Sequence, residues 1–259
     1  MTEKQNFVLV PDPEPEPAAA LPAPPPSNWL ERIRSLVVGA AALLPFGPPR
    51  DLATPSASGR PRLIFGFDAT ASREPAWATA RTVTDALFKV LPGELDVALA
   101  VHGGSLLHTF TEFTANPNTL RDRAAGIRCL AGRTQLLAIL SRSLVAPGVR
   151  VVTYIGDVFE ESPARGRKLA DTMGARGIKL IVLHDTTDWN AKRDAEIFLE
   201  LARRTGGCVL PFDAAAPARL RELLAAVAVY AVGGEALLQE KRDELPAAAL
   251  LLEHLSGRR

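Results

Sequence analysis

Asp68, Thr70 and Ser72 stand at alternate positions just beyond a short apolar run, Leu63-Ile-Phe-Gly-Phe. Such a run, stopping abruptly at Asp, reads as a buried strand that delivers a carboxylate to its C-terminal edge. Pro75 then opens a helical pattern through Trp77, Ala80, Val83, Thr84, Leu87 and Phe88. The D-x-T-x-S run therefore falls in a strand-to-helix loop, where open α/β sheets place their ligand sites. One carboxylate and two hydroxyls, all oxygen, suit a hard divalent cation better than zinc or copper. Asp157 ends a second apolar run, Val149 to Gly156. Two carboxylates at the ends of neighbouring buried strands need a cation or hydrogen-bond donors to offset their repulsion and burial.

The elements that must position these groups follow from the alternation of apolar runs with amphipathic stretches from Arg62 onward, which argues for a parallel α/β sheet. Leu95 to Val101 and Leu106 to Phe113 flank the turn signal His102-Gly-Gly-Ser105, predicting an antiparallel hairpin at the sheet edge. A helix over Thr119 to Ile127 follows, then a loop around Thr134 before the apolar run Leu136-Leu137-Ile139-Leu140. Further strands are predicted at Val149 to Gly156, Ile178 to His184 and Gly207 to Phe212, with helices at about Ser162 to Arg176, Asn190 to Thr205 and Pro217 to Lys241. Pro163 and Pro217 sit at first-turn positions, and Gly177 and Gly206 where helix C-termini favour glycine. In the doubly wound order 3-2-1-4-5-6, the strands ending in Asp68 and Asp157 are neighbours at the switch point, and the Thr134 loop feeds the second of them.

The three segments, Asp68-Ala-Thr70-Ala-Ser72, Thr134 and Asp157, are similar in type and order to the metal-ion-dependent adhesion site of von Willebrand factor A (VWA) domains, with Thr70 in place of the usual first Ser. The resemblance spans about Arg62 to Val229. It implies a doubly wound, mostly parallel six-stranded sheet with one antiparallel edge strand and helices on both faces, a Rossmann-like α/β fold. It also implies that Asp68, Thr70, Ser72, Thr134 and Asp157 hold Mg²⁺ or Mn²⁺, Thr70, Ser72 and Thr134 through hydroxyls and the two carboxylates largely through water. Neutral hydroxyls around the ion leave it short of negative charge, so an Asp or Glu of a partner protein becomes its natural further ligand. Val158 stands where many members have Gly, which predicts a stiffer loop there.

Plainer readings exist for each residue. Thr70, Ser72 and Thr134 could cap the helices they precede. The alternatives for the whole chain are a metal-dependent hydrolase or phosphotransferase and a structural subunit with a vestigial site. Against the former, a haloacid-dehalogenase pattern wants a second Asp where Ala69-Thr70 stands, and no P-loop, dinucleotide-binding or nucleophile-elbow motif occurs. His102, His108, His184 and His254 lack ligand spacing and read as structural or solvent-facing. Asp185 to Trp189 reads as a capping loop, and Glu160 and Glu161 as a solvated first helical turn.

Composition sets the remaining bounds. A chain of 259 residues with 47% hydrophobic content can bury a sizeable core, and a net charge of +1 argues against nucleic-acid binding. Cys129 and Cys208, the only cysteines, form neither a disulfide framework nor a zinc motif and fit a reducing, cytoplasmic compartment. Twelve of the 21 prolines lie in residues 1–60, which predicts an extended, largely disordered arm. Within it, residues 28–44 are predicted to form a short apolar helix whose uninterrupted part, Leu36 to Leu44, is too short to span a bilayer. The acidic, proline-rich leader predicts no export. We therefore expect the helix to dock on the domain or a partner rather than on a membrane. The domain itself is expected over 61–241, and a short C-terminal helix and tail over 242–259.

Overall fold

The computed structural model describes residues 59–185 and 189–257. The arm, including its apolar segment at 28–44, lies outside the described residues, as do Thr186, Thr187 and Asp188. The six strands are β1 (Arg62–Asp68), β2 (Asp96–Gly103), β3 (Leu106–Phe110), β4 (Val149–Gly156), β5 (Lys179–Asp185) and β6 (Cys208–Phe212). They form one sheet in the order β3-β2-β1-β4-β5-β6. All neighbours pair in parallel except β2 and β3. This is the doubly wound order with an antiparallel edge strand that the alternation predicts.

Every residue of β1 is buried, because both faces of the sheet are covered and alternate side chains enter opposite cores. Leu63, Phe65 and Phe67 join Val151, Ile155, Ile181 and Leu183 on one face. Ile64 joins Val152, Tyr154, Leu180 and Val182 on the other. The first face is covered by α1 (Glu74–Thr82), α2 (Ala86–Lys89), α7 (Pro217–Glu240) and α8 (Ala248–Leu255). The second is covered by α4 (Leu136–Val145), α5 (Pro163–Ala175) and α6 (Trp189–Arg204). A short helix α3 (Pro117–Ala125) lies between the hairpin and α4. The α7 helix is long and apolar enough to cross a membrane by length and composition. Its Leu223, Leu224, Val227 and Val229 are instead buried in the first core.

Gly66 keeps the second face open: a Cβ there would stand 3.3 Å from Ile139 Cδ1 of α4 and from Tyr154 Cδ2. The predicted helix through Phe88 is broken. α1 ends at Thr82 and Val83 leaves helical geometry at φ −116°, ψ 9°, where the β-branched run Thr82-Val83-Thr84 loses side-chain freedom in a helix. Helix α3 starts two residues before the predicted Thr119. Asn116 caps it by accepting from the backbone N–H groups of Asn118 and Thr119, with Pro117 at the first turn. Ser162 caps α5 as expected, accepting from the N–H of Arg165.

Candidate functional site

The C-terminal ends of β1, β2, β4 and β5 gather Asp68, His102, Asp157 and Asp185. β1 and β2 bring Asp68 and His102 into register as direct neighbours. Asp68 is wholly buried. Its Oδ1 accepts the Thr70 N–H at 2.9 Å, so the loop turns on the carboxylate itself. Its Oδ2 is buried without a partner. The loop is pinned from the far side, where Leu130 N–H donates to the Ala69 carbonyl at 2.8 Å.

The capping alternative for the three hydroxyls is not realised. Thr70 precedes a short 3₁₀ turn (Ala71–Arg73) without a side-chain cap bond, and no side chain caps α1. Thr70 Oγ1 instead lies 3.4 Å from Ser72 Oγ. Thr134, 1% exposed, is not the cap of α4. Its Oγ1 accepts Glu160 N–H at 3.0 Å, while its own N–H donates to Glu160 Oε2 at 2.9 Å.

Asp157 is held within a pinned loop. Its Oδ1 accepts Val158 N–H at 2.8 Å, and its carbonyl accepts His184 Nε2–H at 2.9 Å. Phe159 N–H donates to Asp194 Oδ2 of α6 at 2.9 Å. Glu160 is exposed as expected and Glu161 half-buried, but neither forms a first helical turn: α5 begins only at Pro163, and both carboxylates bond the loop and helix start on the other side of the crevice. Glu161 accepts Leu137 N–H at 3.0 and 3.1 Å. An acceptor there satisfies the open donors and positive end of α4.

The carboxyls of Asp68 and Asp157 face one another. Burial raises the pKa of Asp68, against the lowering effect of the Thr70 bonds, Arg73 and the Asp157 contact. Burial likewise raises that of Asp157, with Arg73 lowering it and the Asp68 charge raising it. His102 is pushed down to about 3 by burial and then by its neighbour His108, so it stands neutral with Nε2 2.9 Å from the Tyr154 hydroxyl. Its Nδ1 lies 3.8 Å from Asp68 Oδ1, beyond a hydrogen bond.

Arg73, the residue after the D-x-T-x-S run, is the participant the sequence reading missed. It is 5% exposed. Its Nη1 donates to Asp185 Oδ2 at 2.8 Å and lies 3.5 Å from Asp157 Oδ2. Asp185, read from sequence as part of a capping loop, is buried and belongs to this cluster. Two signals were available. A cation opening a helix sits at the unfavourable end of its dipole, and Asp185 ends an apolar run just as Asp68 and Asp157 do.

Seven buried side-chain atoms lack a hydrogen-bond partner among the described residues, and four of them are here: Asp68 Oδ2, His102 Nδ1, and Arg73 Nε and Nη2. Buried polar atoms are rarely left unpaired, so their concentration marks a place built for something further. No group of three or more His, Cys, Asp or Glu is arranged to hold a metal among the described residues. A cation here would have to draw on hydroxyls, and a carboxylate pair with Thr70, Ser72 and Thr134 beside it fits a hard divalent ion.

No protein-family model matches the chain, and no curated protein matches it. Solved structures do. Proximal thread matrix protein 1 from the mussel byssus, in a second crystal form, aligns at 12% identity and a TM-score of 0.50, over 66% of this chain and 46% of that one. A structure of the same mussel protein "with zinc occupied MIDAS motif", the metal-ion-dependent adhesion site, aligns with the same values. The chain thus spans about half the length of the mussel protein. The SpRpn10 VWA domain aligns at 11% identity and a TM-score of 0.49, over 63% of this chain and 94% of that domain. At these identities the likeness to the mussel protein carries the fold alone, a doubly wound, Rossmann-type α/β fold with one antiparallel edge strand.

Proposed function

We propose that this chain is a protein-interaction module of VWA type whose crevice holds Mg²⁺ or Mn²⁺ through Asp68, Thr70, Ser72, Thr134 and Asp157. The observation that carries the reading is the buried, unpartnered Asp68 Oδ2 facing Asp157, beside three hydroxyls that cap no helix. When bound, the ion supplies an open coordination position for an Asp or Glu of a partner. The residues of the chain do the rest. Asp68 fixes the loop carrying Thr70, and Glu160 holds Thr134 toward the Asp157 loop. Leu130, bonded to the Ala69 carbonyl, and Leu106 of the hairpin are 47% and 59% exposed and offer apolar surface next to the hydroxyls.

Catalysis is not part of this reading: Glu161, raised by burial to about 7, spends both carboxylate oxygens on the Leu137 N–H, and no activated nucleophile stands beside it among the described residues. Burial, followed by Glu74, pushes the Cys129 thiol up to about 12. His102 at about 3 is too weak a base. Two free cysteines, Cys129 and Cys208, support the proposal of a reducing, cytoplasmic setting. A structural subunit with a vestigial site is the second reading, favoured by the guanidinium of Arg73 close to Asp157. Calorimetric titration with Mn²⁺ decides between them. The wild type should bind and Asp68→Ala should not, with the same far-ultraviolet circular dichroism. Equal heats for both proteins would remove the metal reading.

A further inference from the structure

We infer that Arg73 is a built-in counter-cation that competes with the divalent ion for Asp157, so that it sets the metal affinity of the crevice. The inference rests on the metal reading above. Its grounds are geometric. One nitrogen, Nη1, serves two carboxylates, firmly Asp185 at 2.8 Å and loosely Asp157 at 3.5 Å. The remaining donors, Nε and Nη2, are buried without partners, so the guanidinium is anchored at one corner only. An arginine cannot leave such a place by losing its proton. It can only turn, and the Asp185 bond is the pivot on which it would give up Asp157.

Charge counting points the same way. In formal charges, the three carboxylates of Asp68, Asp157 and Asp185 set against Arg73 leave −2 at the C-terminal ends of the strands. That is the charge one divalent ion cancels. Without Arg73 three would remain, and a cation would be drawn more strongly in proportion.

The test measures Mn²⁺ binding by calorimetry and the metal-induced shift of the thermal melt on the full chain. Arg73→Gln should tighten Mn²⁺ binding at least tenfold and enlarge the metal-induced shift. Arg73→Lys, which keeps the charge, should stay within about threefold of the wild type. Asp185→Asn removes the pivot and one negative charge, and should weaken Mn²⁺ binding about tenfold. A folded Arg73→Gln with unchanged or weaker affinity would overturn the inference while leaving the metal reading intact. If Arg73→Gln does not fold, Asp185→Asn decides, and unchanged or tighter binding there overturns it. Absence of Mn²⁺ binding by the wild type and all variants would defeat the metal reading and this inference with it.

Discussion

Thr134 and Glu160 hold one another by two reciprocal bonds, the Thr134 N–H to Glu160 Oε2 at 2.9 Å and the Glu160 N–H to Thr134 Oγ1 at 3.0 Å. The loop before α4 and the loop after β4, which carries Asp157, are thereby tied to one another. Glu160→Ala removes one bond of the pair and should cost about 1 kcal/mol, the net worth of such a bond, with weaker Mn²⁺ binding. Thr134→Val should cost a similar amount, because each substitution leaves one backbone N–H of the pair without its acceptor. Urea unfolding of both variants checks this, and a Glu160→Ala protein as stable as the wild type would show that the loops are independent.

Gly132 sets where these tied loops sit. Its φ is 155°, and a Cβ there would run into the backbone of Gly104 and Ser105. Arg133 N–H also donates to Ser105 Oγ at 2.9 Å, so the hairpin tip and the Thr134 loop are in backbone contact. Gly132→Ala should push the loop away and cost roughly 2–3 kcal/mol as overpacking. Thermal melts would register this as a clear drop, and Mn²⁺ affinity should fall with it.

Stability should respond to pH through two groups of opposite sign. Burial raises Glu161 to about 7 from 4.5. Its contribution is fully present below about 4.5 and is lost as pH rises through 7. Glu161→Gln should therefore be the more stable protein above pH 7 relative to its behaviour at pH 4.5, by about 1–2 kcal/mol, since partial exposure reduces the full linkage value. Chemical denaturation of the pair at pH 5 and 8 measures the difference.

His102 works the other way. With a folded-state value near 3 against an ordinary 6.5, its contribution is present above 6.5 and drains away as the unfolded chain takes up a proton on the way to 3. The imidazole resonances of His102 should not titrate between pH 8 and 5 while the protein remains folded. A midpoint within that range would contradict the burial argument.

The arm should be dispensable for folding. Every strand among the described residues and all five proposed ligands lie beyond residue 58. A chain lacking residues 1–58 should melt at the same temperature as the full protein and show the same Mn²⁺-induced shift. Aggregation of the shortened chain, or loss of that shift, would make the arm part of the domain.

The sequence by itself determined the frame. The near-continuous apolar runs in Leu63 to Asp68 and in Val149 to Gly156 specify buried parallel strands, and Ser162 with Pro163 marks the start of a helix. Because a parallel strand delivers its last residue to the crevice, Asp68, Thr70, Ser72 and Asp157 were legible as neighbours before any coordinate was known. The tertiary structure decided the charges and contacts around them. Arg73 meets Asp185 across 112 positions of chain, and no local period announces which side chain turns inward at a helix start. Glu160 and Glu161 look like helix residues in sequence, yet they bond Thr134 and Leu137. His102 opposes Asp68 only through the register of β1 on β2. Local patterns report which face a residue occupies within its own element. Which charges share a buried crevice depends on register and on how loops from distant strands pack, and burial then makes their pairing energetically decisive.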